Sequence, residues 1–282
     1  MVPRHEVERL ESWLKKWKGG GVADGADAIR RDELDGWQKF AHDIALRRGQ
    51  TTDDRPVRCF LIGSAGTGKS RTVRSFVSAK RAVVKKKLEK SIDARVLLTP
   101  KVQEEIKEAV RYSVQLGAPT GCASFQLKFG ASTLHRLFGV PIGYCGPAVN
   151  KTSENFRIKK RKMQLARLYV LDEMSMIGRR MLGKIQFKLE DHLGNVPGPH
   201  EFVSIMGEKD YVLCGDPKQC QPIGDEPLYQ LGEYAGGAPE NKPKDGLRHA
   251  GAWTVKKLVR AGMAVRDSCK DVVILRKVHR YQ

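Results

Sequence analysis

The densest chemistry in the chain is Gly63-Ser64-Ala65-Gly66-Thr67-Gly68-Lys69-Ser70, which satisfies the phosphate-loop pattern G-x-x-x-x-G-K-[ST]. Gly63, Gly66 and Gly68 permit a tight turn whose successive N–H groups converge on an anion. A helix beginning near Lys69 adds the positive end of its dipole. Lys69 is the side chain to reach the β- and γ-phosphates, and Ser70 supplies the hydroxyl to ligate Mg²⁺ beside them. Arg71 follows, so the candidate nucleotide-binding set runs from Gly63 to Arg71. A glycine-rich turn could match this pattern by chance, but its flanks argue otherwise. Residues 57–62 form a short apolar, β-rich run, and Val73, Phe76 and Val77 stand at i, i+3 and i+4. Strand, loop and helix are the context the motif requires, and together they imply a bound nucleoside triphosphate.

Asp172-Glu173 is the second chemical candidate. It ends the apolar run Leu168-Tyr169-Val170-Leu171. After a phosphate loop, a strand-end acid such as Asp172 holds the Mg²⁺ shell, and Glu173 is placed to polarise an attacking water. An ordinary acidic strand end is the alternative when the dipeptide is taken alone. Tyr211-Val212-Leu213-Cys214 likewise runs into Gly215-Asp216. Strands alternating with helices and ending in polar residues predict an α/β fold whose mainly parallel sheet carries its site at the carboxyl edge.

The elements that must position these groups follow from periodicity. Leu34, Trp37, Phe40, Ala41 and Ile44 keep helical spacing, with Gln38 among them. Residues 80–90 are dense in lysine and read as a solvated helix face. Residues 95–98 read as a strand, 101–110 as a helix, and Tyr112, Val114 and Leu116 as an alternating strand before Gly117-Ala118-Pro119-Thr120-Gly121. A further helix carries Leu134, Leu137 and Phe138, and residues 141–155 read as a surface loop. At the N-terminus, residues 2–18 form a short amphipathic helix, broken by Gly19-Gly20-Gly21. The expected organisation is a helical extension and linker over 1–31 and one domain over 32–282.

The chain has 282 residues, 40% of them hydrophobic, enough for a substantial core. No apolar run approaches the ~20 residues of a membrane span. The first 17 residues carry charges throughout and do not read as a secretory signal. A net charge of +19 implies a polyanionic partner, most often nucleic acid. The six cysteines contain no C-x-x-C pair and read as reduced residues, so a zinc site is not expected.

Several segments in order resemble the Pif-type DNA helicases, superfamily-one motors that move 5′ to 3′ on single-stranded DNA. They are Gln38 in its helix, the phosphate loop, Ala118-Pro119-Thr120-Gly121-Cys122-Ala123 and Thr133-Leu134-His135-Arg136-Leu137-Phe138. They continue with Asp172-Glu173-Met174-Ser175-Met176 and Gly215-Asp216-Pro217-Lys218-Gln219. The resemblance implies a RecA-like phosphate-loop NTPase domain binding ATP and Mg²⁺, with Gln38 reading adenine. Lys69, Ser70, Asp172 and Glu173 would do the phosphate, metal and water chemistry, and Gln219 would sense the γ-phosphate. Pro119, Thr120, Gly121, Thr133 and His135 would lie along single-stranded or forked DNA. Taken alone, Gln38 is a surface residue and His135 a structural histidine. Such motors serve DNA repair, recombination and telomere maintenance, in nucleus or mitochondrion, or in the cytoplasm of a prokaryote.

Departures accompany the resemblance. Residues 275–282 resemble the segment with a phosphate-contacting arginine, but Tyr281 separates Arg280 from Gln282. Arg280 is the candidate, with Arg276 available and a plain basic chain end as the alternative. Cys220 and Gln221 replace the usual Leu-Pro after Gln219, and residues 80–110 form a basic insertion. The motifs of a second RecA-like lobe are not found, so the expectation is one lobe of a motor. The basic run Arg157, Lys159, Lys160, Arg161, Lys162 and Arg167 is either a DNA path or a solvated face. Phe125, Phe129 and Phe138 are the candidates for base stacking. A nucleotide- or DNA-binding module without turnover, or a phosphate-loop kinase, are the alternative functions.

Overall fold

The computed structural model describes residues 29–48, 54–92, 99–141, 151–194, 204–230 and 254–279. The expected helix at 2–18 and its linker, the strand at 95–98, Cys145 and Arg280 lie outside the described residues.

Among the described residues, six strands form one sheet: β1 (Arg58–Gly63), β2 (Val114–Ala118), β3 (Ser132–Thr133), β4 (Leu168–Leu171), β5 (Asp210–Gly215) and β6 (Asp271–Leu275). Their order is β3-β2-β4-β5-β1-β6, and every pairing is parallel. Parallel pairing brings every strand's carboxyl end to one edge, where the loops that carry chemistry must gather. This is the RecA-like α/β architecture expected from the sequence.

Helices cover both faces. They are α1 (Gly36–Leu46), α2 (Lys69–Ser91), α3 (Pro100–Ser113), α4 (Gly121–Leu127), α5 (Leu134–Phe138), α6 (Glu154–Leu165), α7 (Arg179–Leu193) and α8 (Val255–Asp267). Strand residues alternate between two cores, as a period of two demands. Cys59, Leu61, Leu116, Val170 and Val212 pack with Ala41, Ile44, Val73, Phe76 and Val77 of α1 and α2. Tyr169, Leu171, Tyr211 and Leu213 pack with Leu182, Ile185, Leu189 and Val265 of α7 and α8. With both faces covered, β2, β4 and β5 are buried along their whole length.

Tertiary packing corrects four local expectations. Helix α1 buries Gln38, Ala41, His42, Ile44, Ala45 and Leu46, whereas Trp37 and Phe40 are about half exposed. Two polar groups, Gln38 and His42, are buried beside the apolar ones because they find partners there, as His42 Nδ1 does with Ser75 Oγ at 3.0 Å. Tyr112 belongs to the last turn of α3, and β2 is buried throughout rather than alternating. Lys80 is not on a solvated face. It is buried against Asp210 at 2.9 Å, while Arg81 donates to the carbonyls of Val114 and Phe129 at 3.2 and 3.1 Å. Phe138 is fully buried with its ring 5.2 Å from that of Tyr169, so it has no face left for a base.

Sequence patterning assigns no element to residues 179–193, 255–267 or 271–275, where α7, α8 and β6 lie. Leu182, Ile185 and Leu189 are a helical stripe that could have revealed α7. Among the described residues, no helix is long and apolar enough to cross a membrane.

Candidate functional site

The phosphate loop joins β1 to α2 at the carboxyl edge, with Gly68 as the helix cap in the left-handed region (φ +85°). A β-carbon there would stand 2.3 Å from Gln38 Nε2, so side chain and conformation both require glycine. A β-carbon on Gly63 would meet Thr67 Oγ1 at 2.5 Å and Leu275 Cβ at 3.1 Å. The backbone cradle is therefore close-walled. Thr67 Oγ1 donates to Ser64 O at 2.8 Å across the loop. The Lys69 ammonium folds back over the same turn and donates to Gly63 O at 2.5 Å and Ser64 O at 3.1 Å. Ser70 is exposed in the first turn of α2. Arg71 leans away from the loop, donating to Glu33 O at 3.2 Å.

Gln38 is 2% exposed and pinned against the loop. Asp35 caps α1 by accepting from Gln38 N at 2.9 Å, and Gln38 Oε1 accepts in return from Asp35 N at 3.2 Å. Gln38 Nε2 donates to Thr67 O at 3.1 Å. The amide oxygen keeps a second lone pair, while the second Nε2–H lies on the side of the His279 ring.

The segment after β6 closes the same corner. His279 N donates to Gly66 O at 2.9 Å. The His279 ring reaches Asp35 Oδ2 at 2.8 Å and lies 3.4 Å from Gln38 Nε2. Burial raises the Asp35 carboxyl, but the Gln38 N–H and the His279 bond outweigh it and hold the group below its usual range. Sequence reasoning missed both Asp35 and His279. Asp35 lies three residues before Gln38 in a capping-box pattern, a signal that could have found it.

Asp172 and Glu173 follow β4 on the same edge. Burial pushes the Asp172 carboxyl up to about 6; the Glu173 N–H pulls it down, the Glu173 charge pushes it up and the Lys69 charge pulls it down. The Lys69 charge thus acts on Asp172 from the far side of β5. Glu173 adopts φ +54°, ψ +48°, a conformation that costs a non-glycine residue energy and is held by its surroundings. Gly215 at the end of β5 packs so closely that a β-carbon would stand 2.7 Å from Met174 N. The acidic turn is wedged from behind.

Beyond Gly215, Asp216 forms a tight turn, its Oδ1 accepting from Lys218 N and its O from Gln219 N, both at 3.0 Å. Gln219 is exposed at its tip. The following segment is anchored to α7: Asp225 Oδ2 accepts from Arg180 N at 2.9 Å and Met181 N at 3.1 Å, and buried Arg179 pairs with Glu226 at 3.0 Å. These anchors were also missed. Their partners lie 44 or more residues away in sequence, beyond the reach of local pattern.

The candidate DNA residues gather at the other end of the edge. Ala118 pairs with Thr133, so Pro119-Thr120-Gly121 and Thr133–His135 leave neighbouring strands side by side. Thr120 and Thr133 each cap a helix, accepting from Ala123 N at 3.2 Å and Arg136 N at 3.4 Å. A capping hydroxyl accepts and keeps its O–H to donate, which suits a phosphate oxygen. Burial, followed by the charge of Lys184, lowers the His135 pKa and favours the neutral ring. Phe125 is 55% exposed, and Phe129 lies under Arg81 at 5.8 Å. Within the basic run, Arg161 pairs with Glu108 at 2.6 Å and Lys162 stands over the Tyr112 ring at 4.9 Å, so these two brace α6 on α3.

One solved structure supports the fold. A crystal structure of Pif1 helicase from Candida albicans shares 18% identity, covering 87% of this chain and 40% of that chain at a TM-score of 0.51. Bacteroides sp Pif1 in complex with ADP-AlF4 shares 19% identity over 88% of this chain and 43% of that chain, with a TM-score of 0.46. Bacteroides Pif1 bound to ssDNA shares 21% identity over 85% of this chain and 42% of that chain, with a TM-score of 0.42. The chain thus spans less than half the length of these relatives. No curated protein matches by sequence. The family model described as PIF1-like helicase matches residues 95–230, which hold the Thr120, Thr133, Asp172 and Gln219 motifs but not the phosphate loop. In those motifs and in its sheet, the chain resembles the first motor lobe of the PIF1-like helicases.

Proposed function

We propose that this chain is the ATP-binding lobe of a 5′-to-3′ DNA helicase and that it couples MgATP hydrolysis to single-stranded or forked DNA. One observation carries the reading: a complete phosphate loop and the Asp172-Glu173 strand end share one parallel-sheet edge, with Lys69 electrostatically linked to Asp172. The direction of movement rests on the family resemblance.

The residues fit the nucleotide and its metal. The close-walled cradle of Gly63 to Gly68 offers backbone donors, and the Lys69 ammonium already bonds two carbonyl oxygens that phosphate oxygens would replace. Ser70 and Asp172 would hold Mg²⁺, which when bound supplies neutralisation of the phosphate charge. Glu173 would orient water and accept its proton. Gln38 would read the adenine edge, and Gln219 would report on the γ-phosphate from its exposed turn. Arg280 adjoins His279 and is proposed as a phosphate contact. The domain is proposed to run from 32 to 282, with 1–31 as an extension. Pro119, Thr120, Gly121, Thr133 and His135 would touch the DNA backbone, where contacts position without reading sequence.

Phosphate release from ATP, with and without single-stranded DNA across a salt series, tests this. The expected result is stimulation by DNA that weakens as salt rises, and loss of turnover by about 10²-fold or more in Glu173→Gln. Nucleotide binding without turnover under every condition would reduce the reading to a binding module. Turnover indifferent to DNA would favour another NTPase class.

A further inference from the structure

Away from the nucleotide edge, a recess of about 120 Å³ opens where the end of α5, the start of α6 and the last turns of α7 meet. A single water needs only ~10–15 Å³ of such space, so the recess holds a group of several heavy atoms. Gly139, Ser153, Phe156, Lys159, Lys188 and His192 line it.

Its charge is one-sided. The Lys159 ammonium is pressed over the backbone after α5, where a β-carbon on Gly139 would stand 2.5 Å from Nζ. Lys188 is 3% exposed, and its Nζ pairs with Asp191 Oδ2 at 3.6 Å. Burial lowers the Lys159 pKa, and the charges of Lys188, Lys162 and Arg136 lower it further. Among the described residues, the charges that act on Lys159 are cations, two lysines line the space, and Asp191 is the carboxylate beside Lys188. His192 is a wall rather than a charge. Its Nδ1–H donates to Lys188 O at 2.7 Å, its ring stacks on Phe156 at 4.6 Å, and burial lowers its pKa. A half-buried cluster of like charges is costly unless an anion completes it.

We propose that this recess is a second anion site, distinct from the phosphate loop, which takes one phosphoryl group between Lys159 and Lys188. Its position identifies the source. His135 lies four residues before Gly139, about 6 Å along α5, so a strand passing Thr133 and His135 can bring a backbone phosphodiester to the recess. That source rests on the DNA-binding reading above; the anion site itself does not.

Two measurements on the full chain separate these claims. The first follows inorganic phosphate by ³¹P line broadening, in a Lys69→Ala background that disables the phosphate loop. Broadening is expected, with loss on adding Lys159→Gln and retention on adding Lys159→Arg. The second measures oligo-dT affinity by anisotropy against salt, where Lys159→Gln should make the log–log slope shallower by about 0.7, the loss of one phosphate contact on a single strand. Both changes together support a DNA-backbone site. Lost phosphate binding with an unchanged slope keeps the anion site but assigns it to free phosphate. A shallower slope without phosphate binding keeps it as a DNA contact only. If neither measurement responds to Lys159→Gln, or Lys159→Arg behaves like Lys159→Gln in both, the proposal is overturned. If the unmutated chain fails to bind oligo-dT, the DNA-binding reading fails, while the phosphate measurement still decides the recess.

Discussion

Lys80 and Asp210 form a buried ion pair, 2.9 Å apart with side chains 7% and 3% exposed, that ties the middle of α2 to the start of β5. Asp210 also accepts from Val57 N at 3.0 Å, so one carboxylate fixes the entry to β1 as well. Lys80→Met leaves that carboxylate buried without its closest cation. The expected cost is about 3–5 kcal/mol, measured by urea unfolding. Adding Asp210→Asn should restore much of it, because the amide oxygen can still accept from Val57. A Lys80→Met variant as stable as the parent would show that the pair contributes nothing.

Asp172 carries the opposite economy. Its folded pKa of about 6 lies above its ordinary value of 3.8, so ionising it opposes folding. The favourable contribution is complete below pH 3.8 and is lost as pH rises through about 6. Asp172→Asn should therefore stabilise the nucleotide-free protein at pH 8 by about 1–3 kcal/mol. That gain should shrink to nothing by pH 3.8. The same variant should lose Mg²⁺-dependent turnover, a stability–function trade-off read by thermal unfolding and ATPase assay together. Destabilisation by Asp172→Asn at pH 8 would contradict this account.

Helices α7 and α8 touch backbone to backbone. A β-carbon on Gly183 would lie 1.9 Å from Leu258 O, and one on Gly262 would lie 2.0 Å from Arg179 O. Gly183→Ala and Gly262→Ala should each cost about 1–3 kcal/mol or more by forcing the helices apart. Because Arg179 anchors the segment that follows Gln219, Gly262→Ala should also weaken any DNA stimulation of turnover. Unfolding curves that superimpose on the parent would disprove the close approach.

Asp35 joins three tasks: it caps α1, receives the His279 ring and completes the Gln38 bracket. Asp35→Ala should cost about 1 kcal/mol as a lost cap. It should also weaken adenine nucleotides more than guanine ones, since Gln38 would lose its fixed orientation. Its lowered pKa adds stability above the ordinary carboxylate range, lost as pH falls below it. A fluorescent-nucleotide titration reads the base preference, and equal weakening for both bases would sever Gln38 from base reading.

Sequence alone determined the sheet's chemistry-bearing strands and the loops after them. The run into Gly63 and the run into Asp172 are contiguous in the chain, and burial of β4 on both faces of a parallel sheet writes itself as the unbroken apolar stretch before Asp172. Glycine spacing before Lys69 likewise reflects a purely local need of backbone to turn and donate. Tertiary structure decided what depends on partners distant in sequence. Whether Lys80 faces water or Asp210, whether Trp37 or Gln38 points inward, and whether Phe138 meets a base or Tyr169 are settled by the other side of the contact. His279 reaching Asp35 across 244 positions, and Lys159 meeting Lys188 in a shared recess, have no local signature because each needs two elements already packed.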